Sequence, residues 1–235
     1  MAQKKVNAVI HSQEKLAEGI YSMWLDAPEM AEAAVPGQFI AVYTNDQSKL
    51  LPRPISICEA DKENGRLRIV YRIAGAGTKE FSECKAGDTL DIMGPLGNGF
   101  PLKKKKAFLI GGGIGIPPML ELAKNLDCEK TAVIGYRDQE TFLADELRKY
   151  ADVVIATEDG SVGTKGNVID AIRAEKLTAD IIYACGPTPM LKALKAYAME
   201  NGIECYISLE EKMACGIGAC LGCVCHSKDI DEHSN

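Results

Sequence analysis

Leu51-Pro52-Arg53-Pro54-Ile55-Ser56-Ile57 sets one arginine between two prolines, directly ahead of a β-branched run. The prolines fix φ and stiffen the approach, so Arg53 keeps little conformational entropy to lose. A planar guanidinium held this way suits a bidentate phosphate contact. Ser56 adds a hydroxyl within reach of a ring nitrogen or carbonyl. On this stretch alone, a surface arginine in a Pro-rich turn is an equal reading.

Working outward, the flanking residues read as short strands punctuated by Gly, Pro and Asn: Val6–His11, Ile20–Asp26, Gln38–Tyr43, Ile55–Cys58, Arg66–Ile73 and Thr89–Met93. Arg66-Leu67-Arg68-Ile69-Val70-Tyr71-Arg72-Ile73 alternates polar and apolar side chains, as a barrel wall does. No helix longer than Thr78–Cys84 interrupts these strands, which predicts a closed antiparallel barrel. Val70-Tyr71-Arg72 then enters a Gly-rich turn, Ala74-Gly75-Ala76-Gly77, and a short helix with Thr78 near its cap. Amides at such a helix start can bind a pyrophosphate. Tyr71 either stacks on an aromatic ring or packs as an ordinary strand tyrosine.

Taken in this order, Arg53-Pro54-Ile55-Ser56 and Gly77-Thr78 resemble the flavin-binding barrel of the ferredoxin–NADP reductase superfamily, with its R-P-x-S motif. The resemblance implies FAD. Arg53, Pro54, Ile55 and Ser56 would lie near the isoalloxazine and phosphate, Val70, Tyr71 and Arg72 along the cofactor, and Gly77 and Thr78 at the pyrophosphate. Gly94 to Phe100 closes the barrel, and the run Lys103 to Lys106 reads as a solvated linker.

Beyond the lysines, strands at Ala107–Ile110, Thr131–Tyr136, Val153–Thr157, Ile181–Ala184 and Ile203–Leu209 alternate with helices near Thr141–Tyr150, Val168–Ala174 and Pro189–Glu200. That alternation predicts a parallel sheet binding its ligand at the strands' carboxyl ends. Thr188 is the expected N-cap of the last helix, and Asn201-Gly202 its C-cap. The loop Gly111-Gly112-Gly113-Ile114-Gly115-Ile116-Pro117-Pro118 departs from G-x-G-x-x-G and is weak evidence by itself. In the superfamily such a loop touches the pyridine nucleotide, which implies NAD contacts at Gly111, Gly112, Gly113 and Gly115. Cys185-Gly186-Pro187 matches its C-G-P companion beside the nicotinamide; without the resemblance Cys185 is a small buried hydrophobe. Ser56 and Cys185 are the expected catalytic residues. Arg137 and Asp138 point in opposite directions on NAD against NADP.

Met213-Ala214-Cys215-Gly216-Ile217-Gly218-Ala219-Cys220-Leu221-Gly222-Cys223 has the C-x4-C-x2-C spacing of a plant-type 2Fe-2S site. A structural zinc loop would pair two C-x2-C units or add histidines. Buried free thiols are the other alternative. Cys215, Cys220 and Cys223 are the expected cluster ligands. Cys225 stands two residues on and His226 is no easy substitute, so the expectation is a fourth ligand beyond Asn235, in a longer natural chain.

The chain of 235 residues, with formal charge −6, argues against nucleic-acid binding. No apolar run has transmembrane length, and the start lacks the apolar core of a signal peptide. Nine cysteines, an odd number, point to a reducing, cytoplasmic setting. The fold class expected is multidomain β + α/β: a flavin-binding barrel at 1–101, a nucleotide-binding parallel sheet at 102–209, and a 2Fe-2S segment at 210–235. This order resembles the electron-transfer subunits of type B, NAD-dependent dihydroorotate dehydrogenase. The resemblance implies an FMN-containing catalytic partner subunit that oxidises dihydroorotate for pyrimidine synthesis, in a heterotetramer, with electrons leaving through the cluster and FAD to NAD+. The alternatives are an NADP–ferredoxin oxidoreductase subunit of the sulfide-dehydrogenase type, or a non-enzymatic redox sensor on the same fold.

Overall fold

The computed structural model describes residues 4–46, 48–210, 213–220 and 222–223. The first part comprises β1 (Lys4–Ala17), β2 (Ile20–Asp26), α1 (Pro28–Ala33), β3 (Phe39–Val42), β4 (Arg53–Asp61), β5 (Arg66–Arg72), α2 (Ala76–Glu83) and β6 (Thr89–Leu96). Its six strands close as β1-β2-β5-β4-β3-β6, and every neighbouring pair is antiparallel. Closure satisfies the strand edges that an open sheet would expose. Every second side chain points inward, so Leu67, Ile69 and Tyr71 of β5 join Met23, Leu25, Ile40 and Ile92 in one core. Gln13 of β1 ties α2 to this wall, donating to the carbonyls of Phe81 (3.1 Å) and Cys84 (2.8 Å).

The second part comprises β7 (Ala107–Gly112), a 3-10 turn at Gly113–Gly115, α3 (Pro117–Asn125), β8 (Lys130–Tyr136), α4 (Ala144–Leu147), β9 (Asp152–Thr157), β10 (Thr164–Lys165), α5 (Val168–Ala174), β11 (Ile181–Cys185), α6 (Thr188–Asn201) and β12 (Glu204–Ser208). The parallel sheet runs β10-β9-β8-β7-β11-β12. Strands β7 and β11 are buried along their whole length, consistent with apolar layers on both faces. Chain order reverses at β7, which has β8 on one side and β11 on the other. Ligands of open α/β sheets bind at such a switch point.

Several local expectations are corrected. The helix expected over 141–150 shrinks to α4, because Leu143 has left-handed φ of 64° and breaks the first turn. Thr188 is the first residue inside α6 rather than its cap, a place Pro187 takes, while Gly202 ends the helix with φ of 64° as expected. Helix α1, at six residues, is too short to show periodicity. The lysine run is not merely solvated. Lys103 and Lys105 both pair with Glu204, Lys104 with Asp127 and Lys106 with Glu129, so the crossover is fastened to the second part.

The alternation in β5 correctly assigns its two faces, but the polar face is not in water. Arg68 is only 4% exposed, because the second part covers it. Ala17, Ile20, Cys58 and Val70 of the barrel belong to the same apolar cluster as β7, α3 and α4. One continuous core thus spans the two parts.

The glycine-rich turn rests directly on the end of β11. A Cβ at Gly115 would lie 2.2 Å from the Cys185 carbonyl oxygen, too close for any side chain. Gly115→Ala should therefore overpack the junction by about 1–3 kcal/mol. At roughly 2–4 °C per kcal/mol for a chain this long, calorimetry should show a Tm loss of about 2–12 °C. Gly75→Ala is the control, since a Cβ at Gly75 meets nothing within 4 Å.

Candidate functional site at the barrel–sheet junction

A cavity of about 670 Å3 opens where the barrel meets the carboxyl edge of the sheet. Arg53, Pro54, Ile55 and Ser56 of β4, Val70, Tyr71 and Arg72 of β5, and Thr78 of α2 form its barrel wall. Ile114, the end of β12 from Tyr206 to Ser208, Leu209, Glu210 and Met213 form the opposite wall.

At one end Arg53 lies across the start of α2. A Cβ on Gly77 would fall 2.1 Å from the Arg53 Nε, so the arginine occupies the space this glycine leaves. Arg53 Nη1 donates to the Leu51 carbonyl, which holds the guanidinium in that pose. Gly75, at the N-cap of α2, has no side chain to satisfy the first-turn amides. The Thr78 hydroxyl accepts instead from the preceding amides of Ala74 (2.8 Å) and Gly75 (3.2 Å). A fixed cation beside open helix-start amides makes an electropositive corner suited to a pyrophosphate.

Tyr71 takes the second of its two readings, ordinary strand packing. Its ring is packed inside the barrel, parallel to Tyr21 at 6.0 Å and edge-on to Phe81 at 6.1 Å, and its hydroxyl donates to Gln13 Oε1 (2.8 Å). Val70 and Arg72 point the other way, and the Arg72 guanidinium reaches over Gly113. The barrel strand and the nucleotide loop are therefore in contact.

The loop residues Gly111, Gly112, Gly113 and Gly115 and the turn Cys185-Gly186-Pro187 are brought together as one packed unit. A Cβ at Gly112 would lie 2.6 Å from Met190 Sδ and 3.1 Å from Pro187 Cδ. Only Ile114 of this unit lines the cavity. Cys185 sits behind it, 2% exposed, and burial pushes its thiol up to about 12, with the Glu210 charge adding to the rise. Its strand partner is Ser208, whose hydroxyl bonds the thiol.

From β12 the chain runs into the cysteine loop, and Met213 still lines the cavity. Gly216 and Gly218 take φ of 70° and 77°, a turn that side chains resist. That turn aims amides at the first cysteine: Cys220 N donates to Cys215 Sγ at 3.4 Å. The amides of Cys220 and Ile217 lower the Cys215 thiol to about 6. Donors aimed at a thiolate fit an anionic iron–sulfur cluster, as do three thiols at this spacing. Among the described residues, Cys215, Cys220 and Cys223 do not converge as a three-ligand set. Cys225, His226 and any ligand after them lie outside the described residues.

Tyr206, Ser208, Glu210 and Met213 were not singled out from sequence. The rule that ligands gather at strand carboxyl ends would have found Tyr206 and Ser208, which end the last strand, and Glu210 just past it.

A closed barrel with a phosphate corner, sharing one cavity with the switch-point edge of a parallel sheet, defines a flavin-dependent pyridine-nucleotide reductase. Residues 7–100 match the oxidoreductase FAD-binding domain, and residues 210–235 match the iron–sulfur cluster binding domain of dihydroorotate dehydrogenase B. The chain is 44% identical over 234 residues to the dihydroorotate dehydrogenase B (NAD(+)) electron transfer subunit of Geobacillus sp. (strain WCH70), covering 96% of this chain and 90% of that one. It is 45% identical over 240 residues to the corresponding subunit of Streptococcus mutans serotype c, covering 98% and 92%. A solved NADH-dependent reduced ferredoxin-NADP oxidoreductase superposes with a TM-score of 0.85 at 32% identity, over 92% of this chain and 80% of that one. This chain belongs to the family of dihydroorotate dehydrogenase B (NAD(+)) electron transfer subunits.

An Arg53 guanidinium on a phosphate of FAD would be worth about 1.5–3 kcal/mol, so FAD titration of Arg53→Ala should show roughly 10- to 150-fold weaker binding. Arg53→Lys should recover only part of the loss, since the fork is gone. Cys185 supplies a pH signature. A thiol raised from its ordinary 9.0 to about 12 gives stability that is complete below 9 and lost as pH climbs toward 12. Cys185→Ala should flatten the alkaline fall of Tm in that window.

Proposed function

We propose that this chain is the electron conduit between an FMN-containing subunit that oxidises dihydroorotate and NAD+, with FAD in the junction cavity and a 2Fe-2S cluster at the cysteine loop. The observation carrying this reading is the shared cavity. One wall is the Arg53–Ser56 strand, and the other is the end of β12, which continues into Met213 and the cysteines. When bound, the cluster supplies single-electron transfer and FAD the conversion between single electrons and hydride.

The chain's own residues then bind, orient and shield. Arg53 and the start of α2, with Gly77 and Thr78, take the pyrophosphate, while Ile55 and Ser56 meet the ring. The Gly111–Gly115 loop receives NAD, and Gly186 and Pro187 brace it. Cys185, held as a neutral thiol, fills the space beside the nicotinamide and keeps water out; hydride transfer needs proximity there rather than a nucleophile. Cys215, Cys220 and Cys223 ligate the cluster. We assign residues 1–101 to the flavin barrel, 102–209 to the nucleotide sheet and 210–235 to the cluster segment. The assembly is a heterotetramer with the catalytic partner. A cytoplasmic setting is supported by the eight free cysteines among the described residues. No helix among the described residues is long and apolar enough to cross a membrane.

Identity of 44–45% to the dihydroorotate dehydrogenase B subunits, against 32% to the ferredoxin-NADP oxidoreductase, favours this reading over the ferredoxin-linked alternative. The test is to purify the chain with its partner and measure iron, acid-labile sulfide, FAD and dihydroorotate-dependent reduction of NAD+. Cys220→Ser should abolish electron flow from dihydroorotate to NAD+ while NADH still bleaches the bound flavin. Undiminished dihydroorotate–NAD+ activity in that variant would rule the cluster route out.

A further inference from the structure

Strand β4 does two jobs along its length. Its first four residues pair with β3 and line the cavity. Among the described residues the pairing on that edge ends with the Ile57 amide donating to the Gln38 carbonyl (3.0 Å), and the register against β5 breaks between Ile57 and Glu59. This irregularity is a β-bulge, which re-aims side chains and leaves ladder groups in need of partners. Cys58, the extra residue, is fully buried among side chains of the nucleotide part.

Helix α3 covers that edge. Glu121, only 3% exposed, accepts from the Ala60 amide through Oε2 (3.0 Å) and from Asn125 Nδ2 through Oε1 (2.9 Å). One turn later Lys124 pairs with Glu59 at 2.6 Å. Glu59 also lies 3.6 Å from Arg68, whose guanidinium bonds both oxygens of Glu146 (2.5 and 3.1 Å) and the Ser22 hydroxyl (2.9 Å). The buried carboxylate is thus held by an amide of the flavin strand. A charge-assisted bond of this kind is strong where water is excluded.

The spacing along both elements is what matters. Glu121 lies four residues into α3, about 6 Å along the axis from Pro117, which directly follows the Gly113–Gly115 turn and Ile116. Ala60 lies four residues, about 13 Å, along β4 from Ser56. Among the described residues, two bonds join this cavity-lining strand to the helix that follows the glycine turn, Glu121–Ala60 and Lys124–Glu59, and Glu121 is the one nearer the turn. Resting on the function proposed above, we propose that Glu121 is a positioning residue for hydride transfer: its bond to Ala60 sets the distance between the nicotinamide loop and the flavin strand. It touches neither substrate nor cofactor.

The experiment uses the full chain with its partner subunit, loaded with FAD, and reads two quantities. Anaerobic stopped flow gives the saturated rate of flavin bleaching by NADH, and hydrogen exchange gives protection of the Ala60 amide and of residues 111–116. Misplacement by about 1 Å can cost up to 100-fold in such a step, so Glu121→Ala should slow the saturated rate by about tenfold or more with FAD still bound. Protection should fall at Ala60 and at 111–116 together, while the barrel core strands keep theirs. Glu121→Gln, whose amide oxygen still accepts from Ala60, should restore both readouts. A merely structural role would lower Tm and leave the saturated rate alone. A FAD-loaded Glu121→Ala at the wild-type rate, or one that loses protection at Ala60 but not at 111–116, overturns the proposal while the conduit function stands. Failure of wild-type complex to be bleached by NADH overturns both. If Glu121→Ala does not load with FAD, Glu121→Asp takes its place: one methylene shorter, it should be slowed, and a wild-type rate in it overturns the proposal.

Discussion

The structure depends on burial of the outward face of β5. A closed barrel satisfies most of its own backbone, the Ala60 amide excepted, so its hydrogen bonding alone asks little of a second domain. Yet Arg68, Val70 and Arg72 stand on its outer surface in a row, and two of the three lose nearly all contact with water. Val70 joins the core of the nucleotide part, and Arg68 is neutralised there by Glu146 and Glu59. Breaking such a buried pair from one side leaves a stranded charge, which costs far more than the pair contributes. The two parts are therefore committed to one arrangement, and the cavity is the gap their seam leaves open.

Within that gap the electrostatics are uneven. The flavin end holds Arg53 and the open amides of α2, whereas the β12 end holds Glu210 beside a buried neutral thiol. An acidic protein of charge −6 thus concentrates a local positive field at one end of its cavity. The cysteine loop repeats the device with backbone alone, turning amides toward Cys215.

Much of this was legible in the residues. Arg53 between its prolines, the Gly77-Thr78 helix start and the alternation from Arg66 to Ile73 each state a local rule that the folded chain obeys. What escaped were properties created by contact at a distance. Arg68 has the look of a solvent-facing barrel residue, because alternation shows which face it occupies and not what covers that face. Tyr71 offers a stacking ring by its position beside Arg72, but its hydroxyl finds Gln13 across the barrel and the ring follows. Glu121 stands between Leu120 and Leu122 in a short buried helix, and nothing local announces that its carboxylate meets the amide of a strand sixty-one residues earlier. The helix expected at 141–150 failed on one backbone angle at Leu143, which no periodicity announces.

Strand β12 is the last of its sheet, paired with β11 on one side only, and all five of its residues are half-buried. The peptide leaving this outermost strand touches the barrel core lightly, Gly216 lying over Leu96. The cysteine loop is thus a replaceable fitting rather than a keystone. A lineage could exchange the redox group after Met213 by recombination at a single seam and keep both cavity walls, with the new group delivered to the same cavity mouth.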